Sequence, residues 1–360
     1  MKYDYLICGS GLVGSVFARK MTDANKKVLI IEKRNHIAGN CFTKKKNGID
    51  VHKYGCHIFH TNKKDVWDYL NQFTKFNNYK HKGIVNYKNK IFSFPINLMT
   101  FCQLWGITSP NEAVEKINSD KILFENPKNL EEWCLSNVGK EIYEIFIKNY
   151  TKKQWNCDPK HLPSSIIKRI PIRFTFNDDY FHDSTYQGIP VEGYTQMVSN
   201  IIDNIQIELE IDLFDIDWKK YANKLIYCGP IDQFYNYEFG KLQYRSLSWE
   251  HKELSGDFQG ASVVNYTDEE KKFTRIIEHK HFSMIDNDKT IISYEYPKDL
   301  NETNEPYYPI NNEENNNLYK KYKNINQDNV IFTGRLGTYK YIDMDDAISM
   351  ALKLSEKELL

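Results

Sequence analysis

The chain has 360 residues, which is long enough for about two or three domains and a large hydrophobic core. It is 41% hydrophobic and 14% aromatic, a composition typical of folded globular proteins rather than disordered ones. Its 48 basic and 48 acidic residues cancel, so the basic surplus that nucleic-acid-binding proteins usually carry is absent. No apolar run approaches about eighteen residues, and no membrane span is expected.

The cysteines and the start of the sequence indicate the compartment. Seven cysteines include no C-x-x-C pair, so neither a disulfide framework nor a zinc site is expected. A strand-like apolar run begins at Tyr3, which leaves no room for a signal peptide before it. These features predict a reduced, cytoplasmic protein.

The first predicted elements form a dinucleotide-binding βαβ unit. The strand-like run at residues 3–8 precedes Gly9, Gly11 and Gly14, which have G-x-G-x-x-G spacing and lead into a helical pattern. A second predicted strand, KVLIIE, ends at Glu32. Such glycines let a pyrophosphate approach the backbone at a helix N-terminus, and the acidic residue accepts hydrogen bonds from a ribose. The pattern predicts a bound adenine dinucleotide.

The segments around this unit favour FAD over NAD. The acidic residue is followed by Arg34 and a second glycine-containing turn, which is more typical of FAD proteins. Near the C-terminus, a predicted strand at residues 329–333 leads through the Gly334-Arg335 turn to a helix from about Asp343. A helix N-terminus in this position favours electron density on a flavin ring.

The middle of the chain predicts further strands and helices. Residues 224–232 read as a third strand of the dinucleotide domain, and residues 79–95 as a hairpin with Lys-Asn at the turn. From Asn97 to about Gln154 the apolar spacing is helical. Several β-rich runs lie between Tyr244 and Pro297, whereas the polar run NNEENNN is expected to be a loop.

The predicted fold class is α/β, with a Rossmann-like FAD-binding domain that carries a helical insertion domain and an antiparallel β-sheet domain. Both ends of the chain contribute to the FAD-binding domain. The FAD-binding domain is predicted at residues 1–78, 191–243 and 318–360. The helical domain is predicted at residues 97–165, and the β-sheet domain at residues 79–96, 166–190 and 244–317.

Arginine use is unusually sparse. Only seven of the 48 basic residues are arginine, namely Arg19, Arg34, Arg169, Arg173, Arg245, Arg275 and Arg335. Where a chain otherwise uses lysine, arginine is favoured at positions that need a planar guanidinium, such as phosphate contacts. Random survival of arginine codons is the alternative explanation.

The sequence closely resembles the prokaryotic UDP-galactopyranose mutase family over almost its whole length. The strings HIFHTN and GRLGTYKYIDMD are the most diagnostic, with EKRNHIAGN, YTKKQW, FTRIIEHKHF and EPYYP as further matches. The resemblance implies an FAD enzyme that interconverts the pyranose and furanose forms of UDP-galactose. It further implies a reduced flavin whose nitrogen attacks the anomeric carbon, forming a covalent flavin–sugar adduct with no net redox change. A homodimer and a product used for cell-surface polysaccharide are also implied.

The resemblance assigns residues to the cofactor. His57 and His60 are expected near the flavin, where His60 would tune its nitrogen and act in catalysis. A metal site is not expected, because no further ligands converge on these histidines in the sequence. The positions implied to bind the cofactor are Gly9, Gly11, Gly14, Glu32, Arg34, Gly39, Asn40, His57, His60, Gly334, Arg335, Tyr341, Asp343 and Met344.

The resemblance also assigns residues to the nucleotide-sugar substrate. Arginines would bind the pyrophosphate, tyrosines would hydrogen-bond it, and aromatic residues would form the uridine and sugar platform. The positions implied are Phe146, Tyr150, Thr151, Trp155, Arg169, Tyr180, Asn265, Arg275, Tyr308, Arg335, Tyr341 and His81. Among them Arg169 and Arg335 are also expected to be catalytic. Arg173 and Arg245 are expected to have surface or structural roles.

Arg169 is further expected on a mobile lid. Pro163 and Pro171 bracket its segment, and each proline fixes its own backbone angle and removes a donor. Closing over UDP, such a lid would exclude water from the reacting sugar.

Three residues depart from the family pattern. His81 stands where an Asn is expected, Ala38 replaces a Gly, and Cys56 replaces a Pro or Ala. An imidazole and an amide offer different hydrogen bonds, so His81 leaves a related 2-acetamido or deoxy nucleotide sugar open as the substrate. An amine-oxidase-like flavin oxidoreductase and a non-enzymatic binding protein on the same fold are the remaining alternatives.

Overall fold

The computed structural model describes residues 2–166, 172–301 and 305–360. Two compact units are present. The first comprises Met1–Asn78, Ser184–Ser246 and Leu300–Leu360, and the second comprises Tyr79–Asp183 and Leu247–Asp299. The division into three domains by function stays a prediction.

A five-stranded parallel sheet forms the centre of the first unit. The first strand of the chain lies in the middle of the sheet, and its residues Tyr5, Leu6 and Ile7 are buried. In order across the sheet, the strands are Val330–Phe332, Ala222–Tyr227, Tyr3–Cys8, Val28–Glu32 and Gln206–Leu209. The predicted strands at both ends and in the middle of the chain are therefore confirmed.

The helix Leu12–Asp23 follows the first strand and packs against the C-terminal helix Met344–Leu359. A Cβ added at Gly14 would lie 2.0 Å from the Gly9 carbonyl oxygen, so only glycine allows this approach of helix to turn. The predicted βαβ unit and the α/β fold class are confirmed.

Smaller elements complete the first unit. Thr43–Lys46 pairs antiparallel with Ile49–His52, and Phe59–Thr61 pairs antiparallel with Tyr186–Gly188. The strand Tyr308–Pro309 pairs antiparallel with the start of Tyr244–Ser255. The other α-helices described in this unit are Lys64–Leu70, Tyr194–Ile201, Ile231–Phe234, Glu313–Lys323 and Gly334–Gly337.

The prediction of a polar loop at NNEENNN was wrong, because the helix Glu313–Lys323 begins within it. The Asn312 side chain caps this helix by accepting a hydrogen bond from the Asn315 backbone N–H at 2.8 Å. The buried Asn315 side chain donates to the Ile310 carbonyl at 3.0 Å and to Gln243 Oε1 at 3.2 Å. The cap and the buried amide fix the start of the helix, and its later turns pack Leu318, Tyr319 and Tyr322 against a core cluster.

The sheet of the second unit is mixed rather than wholly antiparallel. Arg275–Glu278 pairs antiparallel with Lys289–Asp299 and with Val263–Tyr266. Gly83–Tyr87 and Lys90–Phe94 form the predicted hairpin, with Lys88 and Asn89 at the turn in left-handed conformation. However, Val263–Tyr266 runs parallel to Gly83–Tyr87, because the chain returns to the sheet after a long excursion through helices.

Helical segments occupy most of residues 98–155, as predicted, and their apolar faces form a core with the hairpin. Asn97 and Ser109 begin two of them with capping boxes. The α-helices of this unit are Leu98–Trp105, Pro110–Asp120, Leu130–Asn137, Lys140–Ile142, Asn149–Trp155 and Lys280–Ser283, and Tyr143–Lys148 is π-helical. Within the described residues, every helix is too short or too polar to span a lipid bilayer.

Candidate functional site

The glycine turns of the first unit form a cradle without side chains. Gly9 has a φ of 111° and Gly39 a φ of 54°, values in the left-handed region that favours glycine. A Cβ on Gly39 would lie 3.0 Å from the Cα of Gly11, so the two turns approach each other closely. The helix Leu12–Asp23 begins at this point, and its first backbone N–H groups lack partners within the helix. The cradle therefore suits an anion such as a pyrophosphate.

Glu32 lies beside this cradle, buried at the end of its strand. Its Oε2 accepts hydrogen bonds from the backbone N–H and the hydroxyl of Ser10, each at 2.9 Å. Its Oε1 accepts from the Arg34 backbone N–H at 3.1 Å. The predicted carboxylate is thus fixed next to the glycine turn, and its contact with a ribose stays a prediction.

The Arg34 side chain is held by residues distant in sequence. Its Nη2 donates to Asn40 Oδ1 at 3.0 Å and forms an ion pair with Glu305. The guanidinium lies 4.5 Å from the ring centroid of Tyr54. Arg34 and Asn40 are therefore together as predicted, whereas Tyr54 and Glu305 were not identified from the sequence.

His57 and His60 have different surroundings. The His57 ring bonds through Nδ1 to the Gly55 carbonyl at 2.9 Å, and its own carbonyl accepts from the Tyr194 hydroxyl at 3.1 Å. His60 bonds through Nδ1 to the Ser184 hydroxyl at 3.1 Å. Burial lowers the pKa of His60, opposed by the nearby carboxylates of the C-terminal helix. Their roles next to a flavin stay predictions.

The C-terminal helix begins where it was expected, with Asp343 at its N-cap and Met344 as its first residue. The Met344 sulfur lies 3.7 Å from the Cys41 sulfur, next to the Gly39 turn. On the same end of the helix, Asp345 accepts a hydrogen bond from the Thr61 hydroxyl at 2.9 Å. The helix N-terminus is therefore tied to the strand that carries His60.

Arg335 is the centre of the second cluster in this unit. Its guanidinium donates to the Tyr307 carbonyl at 3.2 Å and to the Ile342 carbonyl at 2.9 Å. It also lies 5.6 Å from the ring centroid of Tyr308 and 5.1 Å from that of Tyr341, and these two rings are stacked. The structure thus brings together three predicted substrate residues, and it pairs the cation with carbonyls and aromatic faces.

In the second unit, the predicted uridine and sugar platform lies on consecutive helical turns. Phe146 is in the π-helical segment, a geometry frequent at functional sites, and its ring packs edge-on against Phe92 in the core. Thr151 is buried, and Tyr150 and Trp155 are half-buried on the helix Asn149–Trp155. Phe146 contributes to the hydrophobic core as well as to the predicted platform.

Asn265 and Arg275 are cross-strand partners in the sheet. The Asn265 side chain donates to the Ile84 carbonyl at 3.2 Å. Arg275 Nε donates to Glu295 Oε1 at 2.8 Å, and Glu295 is fully buried. This carboxylate, which sequence reasoning did not identify, holds the guanidinium in one orientation.

His81 is buried in a polar and aromatic network. Its Nδ1 lies 3.0 Å from the Tyr79 hydroxyl, which also bonds to the Ser262 hydroxyl. The ring lies 5.2 Å from that of Tyr180, and the His81 carbonyl accepts from the Tyr180 backbone N–H at 2.8 Å. Two predicted substrate residues are thus adjacent.

The remaining arginines differ from one another. Arg169, together with Pro171, lies outside the described residues, so the predicted lid is not addressed by the structure. Arg173 is buried and donates to the carbonyls of Asn177 and Asp179, a structural role as expected. Arg245 is also buried, which excludes the surface role considered for it.

One group of potential metal ligands occurs among the described residues. The ligand atoms of Asp257, Glu278 and His281 lie within 4.8 Å of one another. However, the Lys280 ammonium lies 2.9 Å from the Asp257 carboxylate, and Glu278 already accepts backbone hydrogen bonds from Phe258 and Gln259. A cation and backbone donors therefore already satisfy these carboxylates.

Comparison with known proteins identifies the family. Residues 145–341 match the family model described as UDP-galactopyranose mutase, and residues 7–73 match a model of an NAD(P)-binding Rossmann-like domain. A Klebsiella pneumoniae protein described as a probable UDP-galactopyranose mutase is 41% identical, over 98% of this chain and 94% of the relative. The chain belongs to the UDP-galactopyranose mutase family.

Two further similarities refine this result. An Escherichia coli dTDP-fucopyranose mutase is 39% identical, over 98% of this chain and 97% of the relative. A crystal structure of reduced UDP-galactopyranose mutase has a TM-score of 0.76 at 14% identity and covers 99% of this chain and 96% of that one. The structural likeness confirms the fold, and the two sequence relatives act on different nucleotide sugars according to their names.

The surroundings of His60 predict a pH effect on stability. Because its pKa in the folded protein lies below the ordinary value of 6.5, the folded state binds fewer protons than the unfolded state as the pH falls through that value. Acidification therefore favours unfolding, and His60→Gln should lose less stability than the wild type between about pH 7.5 and about pH 5. Thermal unfolding midpoints across this range measure the difference. His161→Gln, at an exposed position, is the control. An equal loss of stability in wild type and His60→Gln would contradict a lowered pKa of His60 in the folded protein.

Proposed function

We propose that the protein is a flavin-dependent mutase that interconverts UDP-galactopyranose and UDP-galactofuranose without net oxidation. The observation that carries this proposal is the sequence relationship to a UDP-galactopyranose mutase at 41% identity over 98% of the chain. The matched family segment, residues 145–341, includes Arg275, Tyr308, Arg335 and Tyr341, the charged and phenolic groups predicted to bind a pyrophosphate.

The residues of the first unit fit FAD as the cofactor. The Gly9, Gly11 and Gly39 turns leave room that a Cβ would fill, and a helix N-terminus opens beside them. Glu32 is held as a buried acceptor next to the cradle, where a ribose hydroxyl would donate to it. When bound and reduced, the flavin supplies the nucleophile for covalent catalysis at the anomeric carbon.

The protein's own residues would bind and orient the nucleotide sugar. Arg335 donates to two carbonyls and lies against the faces of Tyr308 and Tyr341, and within the described residues it forms no ion pair with a carboxylate. A departing pyrophosphate develops negative charge, which a fixed guanidinium stabilises. Arg275, held by Glu295, would add a second planar donor group. Exclusion of water by the Arg169 segment remains part of the proposal.

A second candidate is the same ring interconversion on a deoxy sugar. It is favoured by the dTDP-fucopyranose mutase relative at 39% identity, close to the 41% of the first relative, and by the departure at His81. The redox alternative, an amine-oxidase-like enzyme, shares the fold but would change the oxidation state of its flavin in each turnover. A cytoplasmic homodimer that supplies cell-surface polysaccharide synthesis is a further part of the proposal.

Purified protein should be yellow, and reduction by dithionite should be required for activity. Under reducing conditions it should convert UDP-galactofuranose to UDP-galactopyranose over many turnovers, while no more than about one equivalent of reductant per enzyme is consumed, because the cofactor is regenerated in each cycle. Product analysis by liquid chromatography measures this, with dTDP-fucopyranose offered in parallel. Turnover that scales with oxidation of NAD(P)H would refute the mutase proposal, and conversion of the dTDP sugar alone would favour the second candidate.

Both Arg275→Ala and Arg335→Ala should lower kcat/KM. The expected loss of transition-state stabilisation is about 2–5 kcal/mol for each variant, as when a buried partner of a charged group is removed. Arg335→Ala should also lower flavin content, because Arg335 holds the backbone at Tyr307 and at Ile342 through hydrogen bonds to their carbonyls. Flavin absorbance and steady-state kinetics measure the two effects separately. Arg19→Ala is the control, since Arg19 contacts Asp23 and the Asp203 carbonyl instead. Near wild-type turnover in both variants would exclude the predicted pyrophosphate contacts.

His81→Asn should change selectivity between UDP and dTDP sugars more than it changes thermal stability. The imidazole is fixed by the Tyr79 hydroxyl, and an amide at this position presents a different set of donors and acceptors. Ratios of kcat/KM across a panel of nucleotide sugars measure the change. His161→Asn makes the same substitution at an exposed site and should leave the ratios unaltered. Constant ratios in His81→Asn would show that His81 does not contribute to selectivity.

A further inference from the structure

Lys153, in the helix Asn149–Trp155, has an unusual environment for a lysine. Its ammonium donates to four backbone carbonyls of a single stretch of chain. These belong to Tyr266 at 2.7 Å, Asp268 at 2.9 Å, Lys271 at 3.1 Å and Phe273 at 3.1 Å. An ammonium has three N–H donors, so at least one of them is shared between two carbonyls. The loop therefore wraps around the charge as it would around a bound cation.

The position of this loop connects Lys153 to the predicted substrate residues. Residues 267–274 join the strand that contains Asn265 to the strand that begins at Arg275. The helix of Lys153 carries Tyr150 and Trp155, which are predicted to bind uridine and sugar. A single ammonium thus holds the predicted uridine helix to the connection between two predicted substrate strands.

The energetics favour a positioning role over a solvated surface charge. Burial lowers the pKa of Lys153 to about 8, while the carboxylate of Asp268 opposes this shift. Asp268 is itself buried, and one of its carboxylate oxygens accepts from the Lys271 backbone N–H at 3.1 Å. Loss of the proton from Lys153 would weaken its hydrogen bonds to four carbonyls, three of them partly buried, and unsatisfied carbonyls of this kind are costly.

Lys152 provides an internal contrast. It precedes Lys153 in the same helix and contacts the same loop, but through an exposed ion pair with Glu269 at 2.8 Å. Exposed ion pairs contribute little to stability. The two neighbouring lysines therefore allow a partly buried contact and an exposed contact with one loop to be compared.

We propose that Lys153 is a positioning residue of the nucleotide-sugar site, whose partly buried ammonium fixes the 267–274 loop and thereby the relative placement of Arg275, Tyr150 and Trp155. This inference rests on the proposed mutase function. Lys153 itself is not assigned a contact with substrate. Its effect is expected on substrate binding through the loop, as for other groups that support residues in direct contact with a ligand.

The first test compares Lys153→Met with Lys152→Met in the flavin-loaded enzyme. Lys153→Met should raise the Kd for UDP by about tenfold, as measured by calorimetry, and should raise KM more than it lowers kcat. Hydrogen exchange of backbone amides in residues 267–274 should become faster in this variant. Lys152→Met should match the wild type in all of these measurements. Unchanged UDP affinity and unchanged loop exchange in folded Lys153→Met would overturn the inference.

The second test needs no variant and covers the case in which Lys153→Met does not fold. The UDP affinity of the wild type should fall as the pH rises through about 8, because Lys153 then loses its charge. The terminal phosphate of UDP has its second pKa near about 6 and is already ionised in this range. Burial raises the pKa of Tyr266, which separates it from this transition. The other charged groups on the loop and the helix are Asp268, Glu269, Glu270, Lys271, Lys272 and Lys152, and those on the two neighbouring strands are Arg275, Glu278, Lys289, Glu295, Lys298 and Asp299.

Lys152→Met should retain this pH dependence, whereas a folded Lys153→Met should bind UDP weakly at every pH. A UDP affinity of the wild type that is constant from about pH 7 to about pH 9 would overturn the inference, because the ammonium would then have no effect on the site. Failure of the proposed mutase function would give a different result from failure of the Lys153 inference. In that case the wild type would neither bind UDP nor convert the sugar at any pH, and both proposals would fall together.

Discussion

The close approach of Gly14 to the Gly9 carbonyl is the constraint on which the first unit depends. With no Cβ at this position, the helix Leu12–Asp23 can pack directly on the turn that leaves the central strand. That packing exposes the helix N-terminus at the carboxyl end of the sheet, where ligands of open α/β folds bind. The same turn brings Ser10 to Glu32, so one backbone geometry places both the anion cradle and the buried carboxylate.

The arginines and Lys153 differ in the groups that accept their hydrogen bonds, and this difference determines which of them can offer charge to a ligand. Arg34 and Arg275 are paired with carboxylates, so each pair carries little net charge. Arg335 and Lys153 donate to backbone carbonyls, which satisfy hydrogen bonds without cancelling the charge. Arg335 can therefore offer its full positive charge to a bound anion, whereas the charge of Lys153 is enclosed by the loop that it holds.

Much of the fold was predictable because its determinants are local. Glycine spacing, short apolar strands and the hairpin turn at Lys88 and Asn89 encode the βαβ unit and the first hairpin directly. The helix Glu313–Lys323 was missed because its first turn is wholly polar and depends on the Asn312 cap and the buried Asn315 amide, whereas its apolar residues Leu318, Tyr319 and Tyr322 come only later. The parallel pairing of Val263–Tyr266 with Gly83–Tyr87 joins segments far apart in the chain, and no local pattern specifies it.

The same distinction applies to the candidate site. Residues such as Arg335 and Tyr341 lie in motifs that can be recognised in the sequence, whereas Glu295, Glu305 and Lys153 act through partners distant in the chain. For Lys153 the partners are backbone carbonyls, which leave no trace in the identity of the residues that supply them. Supporting residues of this kind are found from coordinates rather than from motifs.

Discrimination between nucleotide sugars has to come from a small part of the site. UDP and dTDP sugars share the pyrophosphate, so the charge of Arg335 and the phenols around it cannot distinguish them. The relatives that act on the two kinds of substrate are 41% and 39% identical to this chain, so global similarity does not distinguish them either. A site that hydrogen-bonds a substrate hydroxyl rejects an analogue without it far more strongly than an apolar pocket rejects an extra group. Under the proposed function, selectivity would therefore depend on buried polar side chains that are held by hydrogen bonds, and the network of His81, Tyr79 and Ser262 consists of such side chains.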